Sequence, residues 1–256
     1  IPFGSNNVKY QESLNGIQWT VVTVTILIAC YMLLTLFRYW NADKAYALGS
    51  NLNKVGDYQQ AYMKLKESVE LRGSEPVFKD EFSSNNAVIG VALLQQKDAT
   101  NAAGFIRDAI RLNDEIVIAY PNNLVFWKTR VRIFYMLSQV DPSYFPQALQ
   151  SIQKAHELAP TDAKIAYNLG VIYGQSGDIK NAVRVLEEAK EMKPDYRDIY
   201  FALGLFYHEL AKDGTETIVK PELQQKAVEA LQYSLNHINN TDEQIKETLK
   251  SWNVTP

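Results

Sequence analysis

A chain of 256 residues with a 46% hydrophobic share can bury one or two cores, which excludes an intrinsically disordered polymer. Its net charge of −3 comes from 26 basic and 29 acidic side chains, so no cationic excess exists to neutralise phosphates, and nucleic acid is not an expected partner. The single cysteine, Cys30, excludes a disulfide framework; inside the most apolar stretch, it reads as a packing or lipid-facing residue.

Residues 1–16 read as an N-terminal flank. From Ile17 to Phe37 the sequence IQWTVVTVTILIACYMLLTLF carries no charge. At about 1.5 Å per residue it reaches roughly 30 Å, the thickness of a bilayer's hydrocarbon core, and a transmembrane helix is expected over 17–40. Trp19 at one end and Tyr39 and Trp40 at the other stand where an aromatic belt would lie, and Arg38 follows the apolar run directly. A buried soluble helix is the alternative, but such helices rarely run this far without a polar face. A cleaved signal peptide is disfavoured because the run exceeds the usual ~7–15 residue core and no good small-residue cleavage site follows it directly. Arg38 and Lys44 against Lys9 lean towards a cytoplasmic location for the region after Trp40, by a margin too small to fix the side. Because the chain begins at Ile1 rather than Met, processing or a longer polypeptide is compatible with it, and upstream helices would then set the orientation.

After Trp40 the pattern changes to amphipathic pieces punctuated by Gly, Asp and Pro. Leu48, Gly49 and Leu52, a Gly56-Asp57 turn, then Ala61 and Leu65 make a first helix pair over about 42–75. Ile89, Gly90 and Leu93 pair with Ala102, Ile106 and Ala109 in a second, over about 83–120. In the third, over about 124–160, Trp127, Val131 and Phe134 face Ala148, Ile152 and Ala155, with the long turn SQVDPSYFPQ between them and Pro160 at the end.

The clearest unit, over about 163–196, is IAYNLGVIYGQSGDIKNAVRVLEEAKEMKPD. Gly170 and Ala182 lack bulk, so two helices can cross closely, while Tyr173, Leu186 and Ala189 fill the space between them. Gly177 can end the first helix with a positive φ, Asp178 can cap the second, and Pro194 stops the pair. This unit resembles a tetratricopeptide repeat. Its successor, over about 197–240, repeats the pattern with Tyr200, Leu203, Gly204 and Tyr207, Gly204 lying 34 residues after Gly170, the period of that family. There the stretch KDGTETIVKPELQQ adds roughly ten residues before Ala227, Leu231 and Ser234 resume the second helix. Leu249 and Trp252 in TDEQIKETLKSW suit a capping helix over 241–252. The expected architecture is all-α: a transmembrane helix, an α-solenoid of about five helix pairs over 41–256, and a cap.

In a solenoid of this type the first helix of each pair lines a concave groove. The groove positions are then Lys128, Arg132 and Tyr135; Lys164, Tyr167, Asn168 and Val171; and Phe201, Leu205 and His208. This basic and aromatic mixture suits an extended protein or peptide partner carrying acidic residues or a terminal carboxylate. Some tetratricopeptide domains hold such a carboxylate with Lys and Asn. Only Lys128 and Asn168 match that set; Arg132 replaces its other Asn, and Asp198 and Ala202 replace later basic residues, so that specificity is not carried over. The competing reading makes Lys128, Arg130 and Arg132 a solvated or interhelix-paired face.

Nothing points to chemistry. His156, His208 and His237 fall on separate helices without HxxxH or CxxC spacing, so neither metal nor cofactor is expected. Asp178 and Glu187 or Glu188 are ordinary cap and surface charges. Asn239 and Asn253 begin N-x-T sequons, relevant only in a glycosylating lumen.

The stretch from Tyr120 through Leu210, above all PNNLVFWKTRVRIFYMLSQVDPSYFPQALQSIQKAHELAPTDAKIAYNLGVIYGQSGD, resembles the repeat-bearing C-terminal region of bacterial O-antigen ligase or polymerase family membrane proteins. That resemblance implies a bacterial inner membrane and a glycan-transferring core upstream of Ile17. The family's catalytic Arg and His residues belong to that core, and no position here matches them. A third possibility is a filament or homo-oligomer subunit that buries its N-terminal apolar helix.

Overall fold

The computed structural model describes residues 14–212 and 217–255, so Lys9, most of the N-terminal flank and residues 213–216 of the predicted insertion lie outside the described residues. The described residues form eleven α-helices, with a short 3-10 turn at Pro142–Tyr144 and no β-strand. Two compact units are present, 1–78 and 79–256.

In the first unit, α1 (Gly16–Lys54) is one uninterrupted helix of 39 residues. Asn15 and Gln18 close a reciprocal capping box at its start, each backbone N–H donating to the other's side chain at 2.9 Å. No proline interrupts it and the next glycine is Gly49, so nothing ends the helix between the apolar run and the amphipathic part. Gly56, at φ +82°, makes the turn, and Asp57 caps α2 (Tyr58–Leu71) by accepting from Gln60 N at 3.1 Å. Ala42, Ala45 and Gly49 of α1 pack with Ala61, Leu65 and Ser68 of α2, all buried.

The second unit contains α3 (Pro76–Gln95, apart from its first turn) and α4 (Ala99–Ala119), then α5 (Leu124–Ser138) and α6 (Phe145–Leu158), α7 (Ala163–Gln175) and α8 (Ile179–Met192), α9 (Arg197–Ala211) and α10 (Pro221–His237), closed by α11 (Glu243–Ser251). Helix pairs recur because one steric device recurs. A Cβ built on Gly90 would lie 2.7 Å from Ile106 Cγ1, on Gly170 2.6 Å from Leu186 Cγ, and on Gly204 2.5 Å from Leu231 Cδ2. In the first unit, a Cβ on Gly49 would likewise lie 2.7 Å from Leu65 Cγ. In each case the missing side chain lets a branched residue of the second helix seat against the first, completing a close crossing.

The turns repeat as well. Gly177 takes φ +82° and Asp178 accepts from Asn181 N at 3.2 Å, while at the α3–α4 turn Lys97 takes the same left-handed conformation at φ 64° and Asp98 caps by the same bond at 3.2 Å. Asn101 and Asn181, each donating a side-chain and a backbone bond, hold the Asp98 and Asp178 carboxyls below the usual carboxylate range. One further close approach joins successive pairs: a Cβ on Gly174 would overlap the Phe206 ring, so α9 packs on α7 through a glycine notch.

Candidate functional site

Helices α5 and α7 present their outer faces to a shared hollow of about 390 Å³. Helical periodicity explains what lines it: Lys128, Val131, Arg132 and Tyr135 fall within two turns of α5, and Lys164, Ile165, Tyr167, Asn168, Val171 and Ile172 along α7, with Ile152 of α6 beneath. Seven of the ten predicted groove residues therefore meet at one place.

Lys128, Arg132 and Lys164 enter no ion pair among the described residues, and the Asn168 amide has no hydrogen-bond partner among them. Arg130, two positions along α5 from both Lys128 and Arg132, behaves differently. Its Nη1 donates to Asn113 Oδ1 at 2.9 Å and to Asp114 Oδ1 at 2.5 Å, and its guanidinium lies 4.7 Å from the Phe134 ring centre. Pairing thus describes Arg130, while Lys128 and Arg132 are exposed, as the solvated half of that reading has it.

The aromatic members are held in place. Tyr135 Oη accepts from Gln175 Nε2 at 2.9 Å, and Tyr167 rests 5.3 Å from the Tyr196 ring. Burial, with Asp198 adding to it, pushes the Tyr167 phenol above its ordinary range, so it remains a neutral donor at physiological pH. The floor of Val131, Ile152, Ile165, Val171 and Ile172 is aliphatic. Among those residues Ile165 and Ile172 were not singled out as groove residues from sequence, although their seven-residue spacing on α7 puts both on the Asn168 face.

The other three predicted residues lie elsewhere. Phe201 packs against the cluster of Leu231, Leu235, Ile245 and Leu249, with Arg197 4.6 Å from its ring centre. His208 stacks on Trp252 at 4.1 Å, with its Nδ1 2.5 Å from Gln224 Oε1, and Leu205 is exposed without joining the hollow. The C-terminal segment thus covers the α9 face that an open groove would leave free.

A second hollow, of about 540 Å³, lies among α8, α9 and α10. Several of its polar groups hold one another: Tyr207 donates to Glu187 Oε1 at 2.9 Å, Tyr200 to the Pro194 carbonyl at 2.8 Å, and Lys190 pairs with Glu187, while Lys226 Nζ lies 5.6 Å from the Tyr207 ring centre. No group of three or more His, Cys, Asp or Glu able to hold a metal exists among the described residues.

Comparison with known proteins agrees with this architecture. Residues 163–196 match the tetratricopeptide repeat model. MamA from Desulfovibrio magneticus RS-1, from residue 41 to its end, superposes with a TM-score of 0.56 at 17% identity, covering 79% of this chain and 97% of that one. A thermophilic tetratricopeptide protein of Thermus thermophilus, TTC0263, superposes at 0.51 with 17% identity, covering 82% and 97%. YrrB, described as a tetratricopeptide protein with an unusual peptide-binding site, superposes at 0.50 with 18% identity, covering 81% and 90%. No curated protein sequence matches the chain. At these identities the likeness establishes the fold, a tetratricopeptide-type helical repeat. The O-antigen ligase resemblance finds no support in these comparisons.

Proposed function

We propose that this chain is a membrane-anchored scaffold whose α5–α7 hollow captures an acidic segment or carboxyl terminus of a protein partner. The observation that carries the reading is the set of three unpaired cations, Lys128, Arg132 and Lys164, around an aliphatic floor with a free Asn168 amide beside it. Cations outside any internal ion pair can give charge-assisted hydrogen bonds to carboxylates, the amide can pair with an extended backbone, and the floor accepts an apolar side chain. YrrB, with its peptide-binding site on the same kind of fold, makes a peptide ligand a natural class.

The anchor rests on α1. Its apolar part is exposed, with Ile17, Leu27, Met32, Leu34 and Leu36 among the large side chains left uncovered, and it is long and apolar enough to cross a membrane. Its hydroxyls need no water. Thr20 donates to Gly16 O at 3.0 Å, and Thr23, Thr25 and Thr35 each donate at 2.9 Å to the carbonyl one turn back. A helix whose polar groups are satisfied internally is the form hydrocarbon tolerates.

The test titrates fluorescein-labelled acidic peptides, with free or amidated C-termini, onto the full detergent-solubilised chain by fluorescence anisotropy. Lys128→Glu with Arg132→Glu is expected to weaken capture about tenfold or more, roughly 1.4 kcal/mol, with unchanged far-UV circular dichroism. Equal capture by parent and variant removes the hollow as the binding site.

A further inference from the structure

The N-terminal apolar run and the first helix pair are the same helix. If residues 17–37 occupy hydrocarbon, the structure decides what stands immediately outside it, because α2 runs back along α1 and ends beside the last apolar turn. Arg38 Nη2 donates to the Glu70 carbonyl at 3.2 Å, Arg72 lies 3.7 Å from Asp43 Oδ1, and the Arg72 guanidinium sits 4.6 Å from the Tyr39 ring centre. Those α1 residues lie one to six positions beyond Phe37, about 2–9 Å of helix. The polar regions add roughly 10–15 Å to the hydrocarbon core over both leaflets, about 5–8 Å on each side, so Arg38 to Trp40 fall within one headgroup layer and Asp43 at its outer edge.

The chemistry of this level fits that layer. Trp40 is 54% exposed and packs on Phe37 at 5.9 Å, and Lys44 Nζ lies 4.3 Å from the Trp40 ring centre. Arg38 and Lys44 form no ion pair among the described residues, and they sit on different sides of α1, so they make a collar and not a single-sided patch. Arg38 gives one N–H to the Glu70 carbonyl and keeps its others. Exposed aromatic rings and unpaired cations just beyond an apolar run match the requirements of an interface where phosphates accept hydrogen bonds and rings lie amphipathically.

Resting on the anchor reading, we propose that Arg38, Tyr39, Trp40 and Lys44 form a phospholipid-headgroup site that seats the α2 end of the first helix pair at the bilayer surface with no linker. Proline and glycine are absent from Ile17 to Leu48, so α1 offers no hinge at which the pair could lift away. The first helix pair therefore moves in height and rotation only together with the membrane helix, and the headgroup contacts set how far that helix slides along its axis.

The test places nitroxide labels on the full chain in vesicles of phosphatidylcholine with phosphatidylglycerol added. One label is on native Cys30, the other on Ser74→Cys in a Cys30→Ser background, and depth is read from relative accessibility to oxygen and to an aqueous nickel chelate. The expected result is Cys30 in hydrocarbon and Ser74 at the phosphate level. A Cys30 label in hydrocarbon with a fully aqueous Ser74 label overturns the headgroup site and leaves the anchor standing. An aqueous Cys30 label overturns the anchor, and this proposal with it. Arg38→Glu with Lys44→Glu is expected to move the Ser74 label outward towards water; an unmoved label takes the headgroup contact away from those two cations.

Discussion

Asp80 on α3 is 8% exposed, its Oδ2 accepting from Thr129 Oγ1 at 2.8 Å and its Oδ1 making no hydrogen bond. Burial raises its carboxyl to about 7, against opposition from the Thr129 bond and the positive field of Arg132. In the unfolded chain the group titrates near its usual value of 3.8. Between those two values the folded protein binds the proton more tightly, so protonation stabilises the fold progressively as pH falls from about 7 to about 4, and that contribution is lost as pH rises through 7. A shift of about three units corresponds to at most about 4 kcal/mol. Carboxylates held below their usual range, such as Glu115 through its bond from Lys79 and Asp242 through its bond from Arg197, contribute oppositely, but only as pH drops below about 4. Among these carboxylates, Asp80 is the one that acts across the window from 4 to 7. Replacing Asp80→Asn removes the charge and keeps an oxygen for Thr129, but buries an amide N–H₂ at a penalty of about 1–3 kcal/mol. The variant should be more stable than the parent at pH 8, by about 1–3 kcal/mol, and should lose most of the slope that Asp80 gives the parent between pH 4 and 7. Urea unfolding of the detergent-solubilised chain, followed by circular dichroism at several pH values, measures this. A parent of flat pH dependence, or a variant with the parent's slope, refutes the buried-charge argument.

Gly170→Ala adds a Cβ 2.6 Å from Leu186 Cγ and 3.3 Å from the Ala182 carbonyl, so the α7–α8 crossing must open; a cost of about 1–3 kcal/mol in urea unfolding is expected, and a variant as stable as the parent would deny that crossing. Arg197 holds the cap, its Nε donating to Asp242 Oδ2 at 2.6 Å and its Nη2 to Asp242 Oδ1 at 3.1 Å. Arg197→Ala leaves Asp242, which also caps α11 through Ile245 N at 3.1 Å, buried without its cation, and amide hydrogen exchange across 243–251 should accelerate while that of α7 stays unchanged. Unaltered exchange in α11 would show that apolar packing by Ile245 and Leu249 alone retains the cap.

The helices of the repeat were readable because each is specified locally. A small residue at the crossing, a branched residue opposite it and a Gly-Asp turn all occur within one hairpin, and Gly170, Leu186 and Gly177-Asp178 show the whole device in a single stretch. Where the signal was weaker, chemistry substituted for identity. Lys97 takes the left-handed turn position that glycine holds at 56 and 177, so a reading that looks for glycine sees no turn there. The groove was legible on α5 and α7 because their lining follows from periodicity alone, but Phe201 and His208 share that periodicity and lie against the C-terminal segment instead.

The chain's linear pattern was therefore sufficient for the all-helical repeat, the exposed apolar run and the cationic face of α5 and α7. Two things needed the packed molecule. Which cations stay out of ion pairs depends on partners far along the chain: Arg130 pairs with Asp114 across two helices while Lys128 and Arg132 form no ion pair among the described residues, a difference no spacing on α5 encodes. The notch at Gly174, filled by Phe206 from another pair, and the burial of Asp80 against Thr129 likewise arise where helices distant in sequence meet. Periodicity tells each helix which face to bury; only tertiary contact decides what lies against that face, and with it which charges are left for a partner.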